Sequence, residues 1–372
     1  LPCEHNHVLA VAVGLQMMHP EPTMKRAGDP TGAMDRLSAL PDGLLHAIMS
    51  FLPAPQVVQT SLLSQRWRGL WRSTPRIEID EKDFGMSAGI SCSTLEGSWA
   101  RFEDFATNLL LFHDNTSSLG EFRLRSRVYN WCHVDRWIRR GFEYCPAVVQ
   151  IQIVNCDIAF RLPPVAASSF RRLKRLRLWD VILDSHFTSF LCSACPVLEE
   201  LDLQFCEFSG ICSQGIISPT LNKLIMGFCL NETCHPLVIM APSLTYLSLT
   251  YGCYQAGISL CKMDSLVRAD ISINETLSQK TQCELLGSLF NVTSLELTGF
   301  ESEVMLNDNS DEFPIFRNMR TLELHSCFLD DYELNDKLEA LGNFLQNAPC
   351  LEKLILQYCM VGALVLCTMS CF

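Results

Sequence analysis

Apolar residues between Asp35 and Trp71 recur at helical spacing in three short runs. Leu44, Leu45, Ile48, Phe51 and Leu52 fall on one face of the first run. Pro41 and Asp42 open it, because a helix has no use for its first N–H and a carboxylate suits its positive end. Pro53 stops this helix, and Pro55 opens a second that carries Val57, Val58, Ser61 and Leu62. Trp67, Leu70 and Trp71 mark a third. Three short helices cannot bury this much Leu, Ile and Trp on one another, so part of their surface is expected to face a partner.

The pattern then changes. Ile77 to Asp80 reads as a brief strand and Gly85 to Gly97 as a loop. Phe102, Phe105, Leu109 and Phe112 form the apolar face of a helix over 99–113, and Val134, Trp137, Ile138 and Phe142 that of another. From Leu119 onward Leu-x-x-Leu-x-Leu recurs as LGEFRL at 119, VVQIQI at 148, LKRLRL at 173, LEELDL at 198, LNKLIM at 221 and LTYLSL at 244. Further copies begin at 266, 292, 319 and 351, so successive spacings run from 22 to 32 residues and bracket the range of leucine-rich repeats. The ninth residue is Cys156, Cys206, Cys229, Cys327 and Cys359 in five copies and Asn274 in another, which ties the turn after the strand. A proline stands two residues before five of the copies, at 146, 196, 219, 242 and 349.

Side chains alternate along a strand, so the fourth and sixth residues of each unit point inward and the third, fifth and seventh line the open sheet face. Stacked in columns, that face carries Arg123 and Arg125, Gln150 and Gln152, Arg175, Arg177 and Trp179, then Glu200 and Asp202. Charge thus passes from basic in the early copies to mostly acidic later. Arginine and tryptophan are enriched in interface hot spots, so Arg123, Arg125, Arg175, Arg177, Trp179, Glu200 and Asp202 are the expected substrate-binding patch. The division expected is a leader over 1–33, the helical segment over 34–75, a linker with a helix over 76–118 and the repeats over 119–372.

A net charge of -12 disfavours a phosphate backbone as partner. The 19 cysteines are scattered through apolar runs, as buried thiols of a reducing compartment would be. The 8–18 run has the length of a signal-peptide core but lacks basic residues before it. The apolar stretch from Met360 to Phe372 is too short to span a bilayer. Cys3, His5 and His7 lack a fourth metal ligand, and Cys192 and Cys195 lack a second pair at zinc-finger spacing. No nucleotide-binding, hydrolase or metalloprotease motif is present, and no cofactor is expected. The basic run over 171–177 reads as a solvated strand or a nuclear address, and Asn115, Asn231, Asn274 and Asn291 begin sequons that an intracellular protein would not use.

Asp35-Arg36-Leu37, Leu40-Pro41-Asp42, Ile48, Phe51-Leu52, Val57-Val58, Leu63-Ser64, Arg66-Trp67 and Leu70-Trp71 together resemble an F-box of the plant type, and the repeats resemble those that commonly follow it. Gly43 departs from the family, which has an acidic residue there. The resemblance implies an α/β chain: a three-helix F-box, then a leucine-rich-repeat solenoid with a parallel concave sheet. It implies docking on a Skp-type adaptor and through it on a cullin, with the repeats holding an unidentified substrate protein for ubiquitination in the cytoplasm, the nucleus or both. The adaptor contact is expected through Leu40, Pro41, Ile48, Leu52, Val58 and Trp67. The other readings are a repeat scaffold that acts without a ubiquitin ligase and an enzyme built on an accessible low-pKa thiol. The last repeat is expected to lack a cap.

Overall fold

A computed structural model describes residues 37–85, 92–114, 118–127, 131–154, 166–209, 215–272, 277–306 and 313–360. The expected leader, the 361–372 tail, Cys156, Asn115 and Asn274 lie outside them. The described residues divide into two compact units, one ending at 154 and the other beginning at 166.

The first unit opens with helices α1 (Asp42–Met49), α2 (Ala54–Gln59) and α3 (Trp67–Leu70), with Pro41 and Pro53 at the N-caps of the first two. Leu45, Met49, Trp67 and Leu70 make their core, with Leu40 and Val57 packed against it. Strand β1 (Arg76–Asp80) follows. Helix α4 (Cys92–Phe112) begins seven residues earlier than the apolar spacing predicts, and then come β2 (Glu121–Arg127), α5 (Trp131–Glu143) and β3 (Val148–Val154). The strands pair in parallel in the order β1-β2-β3, so the repeat sheet already begins at Arg76, inside what sequence reading leaves as linker. Backbone bonds from Asp114 N to Arg72 O (2.7 Å) and from Gly120 N to Pro75 O (2.8 Å) fasten the end of the helical segment to this sheet.

The register corrects one repeat. Phe122 and Leu124 pair with Val149 and Ile151, so the second copy begins at Pro146, two residues before VVQIQI. An alternating apolar strand looks the same when slid by two, and Pro146, itself buried, takes the place of the first leucine.

In the second unit β4 (Arg175–Trp179), β6 (Glu200–Gln204), β9 (Lys223–Gly227), β12 (Tyr246–Thr250), β15 (Arg268–Ser272), β16 (Ser294–Thr298), β17 (Thr321–His325) and β18 (Lys353–Gln357) form one parallel sheet. Each strand contributes a single repeat. The residue at its fourth and sixth positions is buried in every copy from 173 to 319, as alternation requires.

What returns the chain to the next strand depends on repeat length. Repeats that span 22 or 23 residues use two to four residues of strand, at β8 (Ile216–Ile217), β11 (Leu237–Met240) and β14 (Ile258–Cys261), which pair with one another. Repeats that span 25, 26 and 32 residues use the helices α6 (Ser185–Ala194), α7 (Gln279–Gly287) and α9 (Leu334–Gln346). A strand rises more than twice as far per residue as a helix, so the short repeats cover the distance extended. The remaining elements are β5 (Ile182–Leu183), β7 (Glu207–Phe208), β10 (Leu230–Asn231) and β13 (Cys253–Tyr254), a second ladder beside the main sheet, and the one-turn helix α8 (Glu303–Leu306).

The turn after each strand is built alike. The eighth residue lies in the left-handed region at Asp180, Phe205, Phe228, Tyr251, Ser326 and Tyr358, with φ from 50° to 57°, and Gly299 takes φ 80°. Its N–H donates to the carbonyl of the seventh residue of the next strand, as from Phe205 to Gly227 and from Phe228 to Thr250 (both 2.8 Å). The ninth-position thiols of Cys206, Cys229 and Cys327 are fully buried and donate to the carbonyls of Leu178, Leu203 and Leu297 at 3.5 to 3.6 Å. Burial raises the pKa of Cys206, and that of Cys327 is raised through its contact with Cys359 and by burial.

In the first unit α5 approaches β2 so closely that a Cβ at Gly141 would fall on the Phe122 ring. Gly141→Ala should therefore destabilise that unit by about 1–3 kcal/mol through overpacking, against a helix-propensity gain of about 1 kcal/mol. Urea unfolding checks the sign.

Candidate protein-interaction surfaces

The three-helix segment sorts its apolar residues by helical phase. Leu45 and Met49, four apart, turn inward, whereas Leu44, Ile48 and Phe51, offset by one residue, are exposed, as are Leu62 and Leu63. The single apolar face expected of the first helix is thus two faces. Of the residues expected at the partner contact, Pro41 and Ile48 are exposed and Leu40 and Leu52 half-buried. Val58 and Trp67 are each 2% exposed, which corrects their assignment as surface contacts, and Trp67 lies in the core of the segment. Trp67 Nε1 donates to Ser38 Oγ at 3.0 Å. Leu44, Phe51, Leu62 and Leu63 are surface residues that the expected contact set omits, though the one-residue phase offset in α1 was readable.

Arg66 holds the entry to α1. Its guanidinium donates to the carbonyls of Ser38 and Leu40 and pairs with Asp42 Oδ1 at 2.7 Å. Arg66-Trp67 therefore acts as a clasp, one side chain gripping the entry loop by its carbonyls and the other by Ser38.

The expected substrate patch is distributed over both units. In the first, Arg123 pairs with Glu121 at 2.7 Å, and Arg125 is half-buried on the same strand. In the second, Arg175, Arg177 and Trp179 stand opposite Glu200, Asp202 and Gln204. Arg177 pairs with Glu200 at 3.0 Å and lies 3.8 Å from Asp202, so the basic and acidic columns neutralise each other there. Arg175 is exposed. Further along, Arg268 pairs with Glu296 at 3.4 Å, and His325 lies 3.6 Å from the same carboxylate.

Other chemistry is limited. Among the described residues no group of three or more His, Cys, Asp or Glu could hold a metal ion, and no helix is long and apolar enough to cross a membrane. Of the Cys192 and Cys195 pair, Cys192 is exposed, and burial pushes the Cys195 thiol up to about 12, the opposite of an activated nucleophile. Cys195, Cys206, Cys229, Cys327 and Cys359 are free thiols.

A three-helix segment leading into a parallel repeat sheet defines an F-box protein with leucine-rich repeats. Residues 37–78 match the F-box domain family, and residues 121–355 match the family described as FBD-associated F-box protein At5g56370, LRR repeats. The chain is 33% identical to the rice (Oryza sativa subsp. japonica) MEIOTIC F-BOX protein MOF over 354 residues, covering 87% of this chain and 72% of that protein. It is similar to two Arabidopsis thaliana proteins over 87% of its length: F-box/LRR-repeat protein At3g58930 (28% identical, 77% of that protein) and F-box/FBD/LRR-repeat protein At5g22700 (29%, 78%). The chain belongs to the plant F-box/leucine-rich-repeat family.

Because Trp67 fills the centre of a small core, Trp67→Ala should cost about 3–5 kcal/mol and open the three-helix segment. Amide hydrogen exchange should show α1 to α3 losing protection while β12 to β17 keep theirs. Unchanged protection of α1 would contradict the core assignment.

Proposed function

We propose that this chain is the substrate-receptor subunit of an SCF-type cullin-RING ubiquitin ligase. Its three helices dock on a Skp-type adaptor, and through it on a cullin, while the repeats hold a target protein. The observation that carries this reading is the exposed apolar set Leu44, Ile48, Phe51, Leu62 and Leu63 on a segment whose small core of Leu45, Met49, Trp67 and Leu70 is already packed. An apolar surface of this extent on a small helical segment is the mark of an interface. The family relationship supplies the kind of partner.

The chain's contribution would be proximity. Bound target lysines experience a raised effective concentration of the ubiquitin-charged enzyme, with no bond made or broken by this subunit. The backbone bonds between the helical segment and the repeat sheet of the first unit suit that role, since a loose tether would dilute the gain. In each unit taken by itself the open sheet face carries the proposed target contacts, and Arg175 is an exposed cation on that of the second. Reversal of Arg177 would set like charges against Glu200 and Asp202, and reversal of Arg175 would set one against Glu200 opposite it, so the neutral change Arg175→Gln is the cleaner probe of that face. Free thiols suit work in the cytoplasm or nucleus.

Ile48→Asp combined with Leu63→Asp should weaken adaptor binding by about thirtyfold or more, the loss of roughly 2 kcal/mol typical of an interface hot spot. Because both side chains are exposed, thermal unfolding of the double variant should match that of the parent. Full adaptor capture by the folded double variant would overturn the reading.

A further inference from the structure

Three successive turns of the second unit place aromatic rings in a row. Phe205, Phe228 and Tyr251 are the eighth residues of their repeats, and their rings stack at centroid distances of 4.8 and 5.4 Å with interplanar angles of 4° and 22°. They are 53%, 45% and 52% exposed, and Leu230 beside them is 39% exposed. The ring steps match the spacing of neighbouring strands, so the sheet itself sets the row.

Packing does not require these rings. The ninth residues, Cys206 and Cys229, already fill the turn from within. The eighth position also has φ of 50° to 53° in these three repeats, a conformation that bulky side chains disfavour and that Gly, Asn and Asp adopt more readily. Of the other described copies, two carry residues expected there, Asp180 and Gly299, one carries the small Ser326, and the last carries a further tyrosine, Tyr358. Three adjacent repeats therefore hold a large apolar side chain in solvent at a backbone position that disfavours it.

The surroundings specify the ligand's charge. In the eighth and tenth positions from β4 to β13, the charged residues are Asp180 and Glu207, and none is basic. The row is about 10 Å long, the reach of roughly three extended residues. We infer that Phe205, Phe228 and Tyr251 form a docking ridge for a short extended segment of a partner protein, one that carries apolar side chains flanked by Lys or Arg. The apolar side chains cover the ring edges and Leu230. The flanking cations meet Asp180 and Glu207 and the faces of the aromatic rings. This deepens the receptor reading above and rests on it only for what the captured segment is used for.

The test uses the full chain, a phage-displayed library of short random peptides, and the triple variant Phe205→Asn, Phe228→Asn and Tyr251→Asn. Asparagine tolerates the left-handed region, so the variant removes the rings and relieves the backbone. The expected result is selection of peptides with an apolar centre and flanking Lys or Arg, bound at least tenfold more weakly by the triple variant, with weakening by added salt. Adaptor capture by the same variant should be unchanged, so failure of the ridge and failure of the receptor reading separate. Selected peptides of another class, or equal binding by parent and variant, would overturn the inference. So would a triple variant that melts well below the parent, which would make the stack a structural brace, or a dimer in light scattering that the variant abolishes. As a second measurement, Asp180→Lys with Glu207→Lys must weaken the same peptides at low salt, and binding that survives it would overturn the charge assignment.

Discussion

Every strand of the repeat sheet carries two inward apolar side chains that its own repeat cannot cover, and most of the architecture follows from this. Leu201 and Leu203 on β6 are fully buried because β4 and β9 lie on either side. At β18, the last described strand, the equivalent Leu354 and Leu356 are 38% and 43% exposed. The same residue types in the same register are thus fully buried where a described strand lies on either side, which is the nearest-neighbour logic of a solenoid. Backbone ladders enforce the stacking: the eighth N–H bonds to the next strand's seventh carbonyl, and the ninth thiol bonds backward to the previous strand's sixth. A repeat can then vary in its return segment, strand or helix, without disturbing the sheet.

The helical segment meets the same shortage of core differently. With Leu45, Met49, Trp67 and Leu70 inside, it has no room for Leu44, Ile48 or Phe51. What a solenoid solves with another repeat, this segment is proposed to solve with another protein. The Arg66 and Trp67 clasp keeps the entry to α1 in place, so the exposed face is held in shape before a partner arrives. Preorganisation of that kind reduces the ordering cost of association.

Much of this was legible in the sequence because periodicity is a direct consequence of geometry. The Leu-x-x-Leu-x-Leu spacing located the strands of the second unit, and Cys206, Cys229, Cys327 and Cys359 at the ninth position located the turn. The failures have equally physical causes. VVQIQI could be slid by two without breaking alternation, and only pairing with β2 fixed its start at Pro146. Arg76 to Asp80 lacks leucine at every diagnostic position, so this strand was read as a strand but left in the linker and not joined to the sheet. Trp67 and Val58 were taken for surface residues because composition says that a small segment must expose something, but not which side chains. At Phe205, Phe228 and Tyr251 the left-handed turn gave no signal, since these are not residues from which positive φ is read.

The central claim is that the exposed apolar face of the helical segment, and not the repeat sheet, is where an adaptor docks. Hydrogen–deuterium exchange of the full chain with and without a Skp-type adaptor tests it most directly. The account predicts that the complex forms and that added protection falls on residues 41–63, with β12 to β17 unaffected. A complex whose protection falls on those strands while α1 and α2 exchange as before would contradict it, as would the absence of any complex.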